Sequence, residues 1–500
     1  MPPFDEHFNE RGSSPPLARL GLIIGPLAAF VVFWLLPESV GETALSPGGR
    51  MTAAVAILMA TWWLTEALPL AATALLPVVL FPLLNVSSIR EATAPYANDV
   101  IFLFMGGFML GLAMQRWRLH VRLALHVVLR VGTQPRRLIG GFMLATALLS
   151  MWISNTAAAV MLLPVAASVV EMLRHELRST DADVHGRDNE ATLRHFAVAL
   201  MLGIAYAASI GGLGSLIGSP PNLVLANFAS RELGIEITML EWFRFGLPMV
   251  FLFLPLAWWY LTCFAHPVRL AATVDSAKSI RKELAALGTM SPAERRVLLV
   301  FSLTALAWIF RPQLARALSA PQLTDSGIAM LSALTLFIVP AARWRGERLM
   351  NWETAATLPW GILLLFGGGL SLAAAIGANG LDHYIAAGFS GLAGAPLWLL
   401  IGAVVLVIIA MTELSSNTAV ANTFIPVLAA VATGIGIAPM PVLLAATLAA
   451  SCAFMLPVAT PPNAVVFGSG YLRIADMARA GIWMNVIGIA LITGLMLLFA

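Results

Sequence analysis

Runs of about 20 mostly apolar residues recur along this 500-residue chain from position 20 almost to its end, and a helix of that length matches the hydrocarbon thickness of a bilayer. Such runs lie at 20–36, 51–66, 67–84, 99–115, 196–230, 242–262, 297–313, 326–342, 354–378, 442–472 and 481–499. They predict about 11 transmembrane helices. Two further apolar stretches, 138–173 and 396–434, are too long for one simple span and carry Ser-Asn-Thr in the middle, which reads as two re-entrant hairpins. The expected fold class is an all-α integral membrane protein. Hydrophobic residues make up 59% of the chain and charged ones 11%, against roughly 25% charged in a soluble domain. Lipid is the solvent that suits so much apolar surface.

The basic residues set the orientation. With the N-terminus inside, 23 of the 29 Lys and Arg fall on the cytoplasmic side, in the tail before position 20, in 116–137, 174–194, 269–296 and 343–348, and at Arg473 and Arg479. That is the asymmetry the positive-inside rule asks for. A hairpin that crossed the membrane fully would invert everything after it and scramble the count, so the charges favour re-entry, with the C-terminus outside. The net charge is only +3, and basic residues lie in short segments rather than along one face, so no nucleic-acid partner is expected. The run from Leu20 to Leu36 has no A-x-A cleavage site after it and reads as a retained span. Cys263 and Cys452, far apart and inside apolar segments, support neither a disulfide nor a thiolate metal site.

An internal repeat organises the chain. Phe104 in FMGGFML matches Phe366 in FGGGLSL, Asn155 matches Asn417 in a shared SNTA, and Pro164 matches Pro426, all at an offset of 262. Further on, GSPPN from Gly218 matches ATPPN from Ala459 at an offset of 241. The charged loop near 174–195 absorbs the difference. The span at 99 runs inward and its partner at 354 outward, so the two repeats are inverted, a common plan in secondary transporters.

Each repeat interrupts its helices twice at membrane depth. The first does so at Ser154-Asn155-Thr156 and Gly218-Ser219-Pro220-Pro221, the second at Ser416-Asn417-Thr418 and Ala459-Thr460-Pro461-Pro462. Proline suits the first position of a helix, and Ser, Thr and Asn suit its N-cap, so each motif reads as a helix restarting within the membrane. A lone SNT or PPN would be an ordinary turn. Matched pairs in inverted repeats point instead to a binding site, because unpaired backbone in hydrocarbon is tolerated only where it lines a cavity or is buried in protein. Helix N-termini suit an oxyanion, while carbonyls and the oxygens of Ser, Thr and Asn suit a hard cation such as sodium. A combined site for a small anion and sodium is expected.

These residues resemble the divalent anion/sodium symporters, the sodium-coupled dicarboxylate, citrate and sulfate carriers. The likeness covers most of the chain and includes TEALPLAATALLPVVLFPLL (65–84), IFLFMGGFMLGLAMQRWRLHVRLAL (101–125), MWISNTAAAVMLLPVA (151–166) and IGGLGSLIGSPPN (210–222). The resemblance implies a homodimer in the cytoplasmic membrane, working as an elevator. A cytoplasmic tail at 1–19 would precede scaffold helices at 20–137, a transport part at 138–262 and a cytoplasmic linker at 263–296. Scaffold helices at 297–395 and a second transport part at 396–500 would follow. By the same resemblance, a first sodium site would use Ser150, Ser154, Asn155 and the Gly218 carbonyl, and a second Thr412, Ser415, Asn417 and the Ala459 carbonyl. Asn155, Thr156, Ser219, Ser416, Asn417, Thr418 and Thr460 would hold the substrate, with Pro461 lining the site.

No Arg or Lys occurs in these motifs. A dianion entering against 100 mV, inside negative, costs about 4.6 kcal/mol, and two sodium ions cancel its charge. The expected function is therefore sodium-coupled symport of small dianions, and the resemblance favours C4-dicarboxylates such as succinate, malate or fumarate. Sodium-independent exchange, or sulfate or citrate as cargo, are the alternatives. An intramembrane hydrolase lacks a nucleophile and base pair in the motifs, and HExxH is absent. Glu413, three residues before Ser416, reads either as a titrating group or as a structural carboxylate bonded to backbone. Glu66 reads as structural. His120 and His126 lie on LHVRLALHVVLR, which is expected to form an amphipathic surface helix at the headgroups.

Overall fold

The computed structural model describes residues 15–37, 39–40, 43–132, 134–180, 186–268, 276–342, 346–389 and 394–499. Most of the 1–19 tail and parts of the loops at 174–195, 263–296 and 343–348 lie outside the described residues. Nearly all of the rest is helical, apart from a two-residue antiparallel ladder between Ser39–Val40 and Thr43–Ala44. Among the described residues nine helices are long and apolar enough to cross a bilayer, or ten if Pro292–Ile309 is joined to Arg311–Ala317 across an 88° bend.

Three of the nine, Asn155–His175, Leu397–Leu414 and Asn417–Gly434, are hairpin arms, so fewer of the eleven expected spans stand as full-length helices, and the causes are local. Proline cannot donate a helical hydrogen bond, and with Pro69, Pro77 and Pro82 all within it, the 67–84 run forms two short helices, Leu70–Thr73 and Leu76–Leu83. Asp325–Ile338 and Pro439–Ala450 are also shorter than a span. Short helices survive at membrane depth only inside protein, and Pro439–Ala450 is buried from Val442 to Ala450.

Both expected hairpins are present as helix pairs. The first has arms Pro135–Ser150 and Asn155–Thr180, the second Leu397–Leu414 and Asn417–Gly434. Both expected broken helices are present too, as Gly186–Gly212 with Pro220–Glu232 and Pro439–Ala450 with Pro461–Phe467. Proline opens the second half of each, where its missing N–H would have had no partner anyway. The Glu190–Gly212 segment is 89% buried while the first span, Ala18–Leu35, is 11% buried. The interrupted helices therefore sit inside protein and the first span lies on the outside of the chain.

The pseudo-symmetry is visible in contacts between equivalent residues. Phe104, on helix Asp99–Arg116, stacks on its repeat partner Phe366, on helix Trp360–Ala378, with ring centroids 4.6 Å apart. Two equivalent residues touch only where the relating axis passes between them.

One expectation is corrected. Helix Leu119–Val131 is amphipathic, but two of its basic-stretch residues do not face headgroups: His120 and Arg122 are buried, while Arg130 is exposed. Arg122 bonds Glu294 (Nε to Oε1, 2.7 Å) and donates to the carbonyls of Gly288 (2.9 Å) and Leu287 (3.1 Å). His120 Nδ1 lies 2.8 Å from the Met114 carbonyl. A buried charge pair persists when its remaining donors are satisfied, and here the loop before Pro292–Ile309 satisfies them.

Candidate functional site

The tip of each hairpin meets the break of the broken helix in its own repeat. In the first, Ser150, the last residue of its arm, places its Oγ 2.6 Å from the Ala208 carbonyl and 2.5 Å from the Asn155 amide. With its nitrogen turned toward the cluster, that amide lies 2.5 Å from Ser150 Oγ, 3.2 Å from the Ala208 oxygen and 3.1 Å from the Gly218 oxygen. With its oxygen turned there, four oxygens converge on a single hydroxyl proton. Such a group is repulsive unless a cation lies among its oxygens. The Asn155 amide can therefore close the cluster by itself or serve as a ligand within it.

The second repeat reproduces the arrangement. Thr412 Oγ1 lies 2.6 Å from Asn417 Oδ1 and 2.7 Å from the Ala450 carbonyl. Ser415 is buried beside it, and its hydroxyl has no hydrogen-bond partner. All these groups are neutral, and hard oxygen donors of this kind suit sodium. A bond between the hydroxyls of Ser219 and Ser451, 2.9 Å long, ties one break to the other.

Two expected ligands make their hydrogen bonds elsewhere. The Ser154 hydroxyl is exposed and accepts from Ala157 N at 3.3 Å, as an N-cap does. Ala459 closes the second break, with its N–H on Leu456 O (3.2 Å), and it is the Ala450 carbonyl that Thr412 contacts. Among the expected substrate residues, Asn155, Thr156, Ser416 and Asn417 are half-buried at the two hairpin tips, and Thr418 is buried. Ser219 and Thr460 are buried N-caps of the restarting helices, and Pro461 is exposed.

Sequence reasoning missed the residues that shape the loops. Asn222 donates through Nδ2 to the carbonyls of Gly212 (2.9 Å) and Ser215 (2.7 Å), and Asn463 does the same to Ala453 (3.1 Å) and Leu456 (3.0 Å). Each clamps a non-helical loop from within. Their repetition in PPN was the available signal. Gly212 was missed as well: a Cβ there would lie 2.6 Å from one end of the Asn155 amide and 3.1 Å from the Gly218 carbonyl. Gly212→Ala is therefore expected to displace Asn155 and raise the sodium concentration for half-maximal uptake by about tenfold, as losing support behind an ion's ligands does. A sodium titration of uptake checks it, and an unchanged midpoint would remove Asn155 from a cation site.

Two hairpins and two broken helices converging on paired, neutral oxygen clusters define a secondary transporter of the discontinuous-helix class. The chain belongs to the sodium:sulfate symporter family, whose transmembrane-region model matches residues 18–500. It is 39% identical over 477 residues to a sodium-dependent dicarboxylate transporter, SdcS, of Staphylococcus saprophyticus, covering 95% of this chain and 89% of the relative. It is 38% identical over 476 residues to the SdcS of Staphylococcus aureus strain USA300, with the same coverage. Among solved structures it is similar to the Alcanivorax borkumensis YdaH transporter, with a TM-score of 0.61 at 16% identity over 96% of this chain and 98% of that one. Neisseria gonorrhoeae MtrF, described as one of a class of antimetabolite efflux pumps, gives 0.59 at 13% over 97% and 96%. At such identities these two structures speak to the fold alone.

Proposed function

We propose that this protein is a sodium-coupled symporter of small dianions, C4-dicarboxylates such as succinate, malate or fumarate, in the cytoplasmic membrane with its N-terminus inside. The observation that carries the reading is the pair of mirrored oxygen clusters at the hairpin tips, Ser150 with Asn155 and Thr412 with Asn417. The dicarboxylate relatives share sequence through both. In this reading sodium sits among Ser150, Ser154, Asn155 and Gly218, joined by the Ala208 carbonyl, and again among Thr412, Ser415, Asn417 and Ala459, joined by that of Ala450. The dianion lies between the tips, held by Asn155, Thr156, Ser416, Asn417 and Thr418, with Ser219, Thr460 and Pro461 beneath. No protein cation competes with sodium for the anion's charge, so the two ligands stabilise each other.

The hairpins and broken helices would move together against a dimeric scaffold. Unequal contacts in the two repeats support such a motion. Asn422, on the inner arm of the second hairpin, is 3% exposed against scaffold residue Gly369, whereas its repeat equivalent Val160 is 39% exposed. The scaffold therefore grips one hairpin along its arm and leaves the other open.

Melting of the purified protein tests the coupling. Succinate is expected to raise the melting temperature only with sodium present, with about 2.7 kcal/mol of added stability at 100 times its Kd. Stabilisation by succinate in choline buffer would favour sodium-independent exchange. Stabilisation by sulfate and not succinate would reassign the cargo.

A further inference from the structure

Glu413 is buried at membrane depth without a cationic partner among the described residues. Its carboxylate instead accepts from three successive backbone N–H groups of the second break: Phe454 (2.7 Å), Met455 (2.9 and 3.1 Å) and Leu456 (3.2 Å). A fifth bond comes from Asn485 Nδ2 (2.8 Å), on the last helix, Ile474–Phe499. Successive amides that converge in this way form a nest for an anion, and the protein fills the nest with its own side chain. The first repeat has no counterpart. Met151 stands at the equivalent position, and its break is held there by a neutral bond from the Ser215 hydroxyl to the Met151 carbonyl.

We propose that Glu413 is a positioning residue for the second cation cluster, anchoring the 451–460 loop so that the Ala459 carbonyl is preset for sodium. The inference rests on the sodium reading above. Glu413 follows Thr412, so one helix end supplies a hydroxyl to the cluster and a carboxylate to the loop that completes it. The loop is held from both sides, its amides by Glu413 and its carbonyls at Ala453 and Leu456 by Asn463. Charge-assisted bonds are roughly twice as strong as neutral ones. The loop of the second cluster is therefore held by stronger bonds than that of the first, which neutral bonds alone shape.

Glu413→Gln puts an NH2 group among amide donors and loosens the loop without touching a ligand atom. The test is a sodium titration of full-length wild type, Glu413→Gln and Asn485→Ala, read by melting temperature without substrate and by succinate uptake in proteoliposomes. Expected for Glu413→Gln is a half-saturating sodium concentration raised about tenfold, with uptake at saturating sodium within about threefold of wild type. Asn485→Ala, which keeps all three nest amides, should shift it two- to threefold in the same direction. Should Glu413→Gln fail to fold, the Asn485→Ala shift decides. A lowered melting temperature with an unchanged sodium midpoint in either folded variant would make Glu413 merely structural and overturn the inference. A wild type that ignores sodium would instead overturn the sodium reading itself.

Discussion

Asn417→Ala is expected to cut sodium-driven uptake at least about 100-fold while the protein still purifies as a folded, monodisperse species, and Asn155→Ala to do the same. Each Asn sits at the first turn of a hairpin's inner arm with its amide against a hydroxyl, 2.6 Å from Thr412 Oγ1 in the second repeat and 2.5 Å from Ser150 Oγ in the first. In the proposed site the amide works twice, its oxygen on a cation and its nitrogen on the dianion. A hydrogen bond to a charged group contributes about 1.5–3 kcal/mol. Losing two such contacts therefore predicts 3 kcal/mol or more, beyond 100-fold at 1.4 kcal/mol per decade. Asn417→Asp separates the two jobs, since the carboxylate keeps an oxygen for sodium and presents a negative charge where the amide donor was. It should retain sodium-dependent stabilisation and lose the response to succinate. Uptake that survives either Asn→Ala change would remove that residue from the site.

How much of this was open to sequence reading depended on whether the information was local. The hairpins and broken helices were legible because each is announced by short cap and proline chemistry inside a long apolar run, and the repeat of Asn155 at Asn417 singled those residues out. Hydropathy reads 67–84 as one span because it averages over Pro69, Pro77 and Pro82, whereas the backbone responds to each. The burial of Arg122 on Leu119–Val131 is not legible locally because its partner, Glu294, lies 172 residues away. Asn485 gave no signal at all. Its contact with Glu413 arises only when the last helix packs behind the second hairpin. Residue types predicted which groups cluster, but the carbonyls of Ala208 and Ala450 are chosen by helix geometry that no side chain encodes.

Cross-linking Gly369→Cys to Asn422→Cys, with Cys263 and Cys452 replaced, is expected to stop uptake completely until a reductant restores it. A Cβ built at Gly369 lies 3.3 Å from Asn422 Cβ, a few tenths of an ångström short of the usual Cβ separation in a disulfide, about 3.5–4.5 Å. The Asn422 amide that now crowds that position is removed by the substitution itself. In the proposed division Gly369 belongs to the scaffold and Asn422 to the second hairpin, so the bond would pin one body to the other. The repeat supplies a second, independent pair. Gly107 and Val160 are the equivalents of Gly369 and Asn422 at the 262 offset, yet here Gly107 faces Ile217, 3.1 Å from a built Cβ, and Val160 lies open. If the two repeats exchange registers when the transport part moves, Gly107→Cys and Val160→Cys come together in the opposite state and not in this one. That pair is expected to cross-link only under conditions that also permit uptake, and the two disulfides should exclude each other in the quadruple variant. Full uptake by protein cross-linked at 369 and 422 would mean that these surfaces never slide, and the cargo would have to pass through a gate within the hairpins, with the transport part held still.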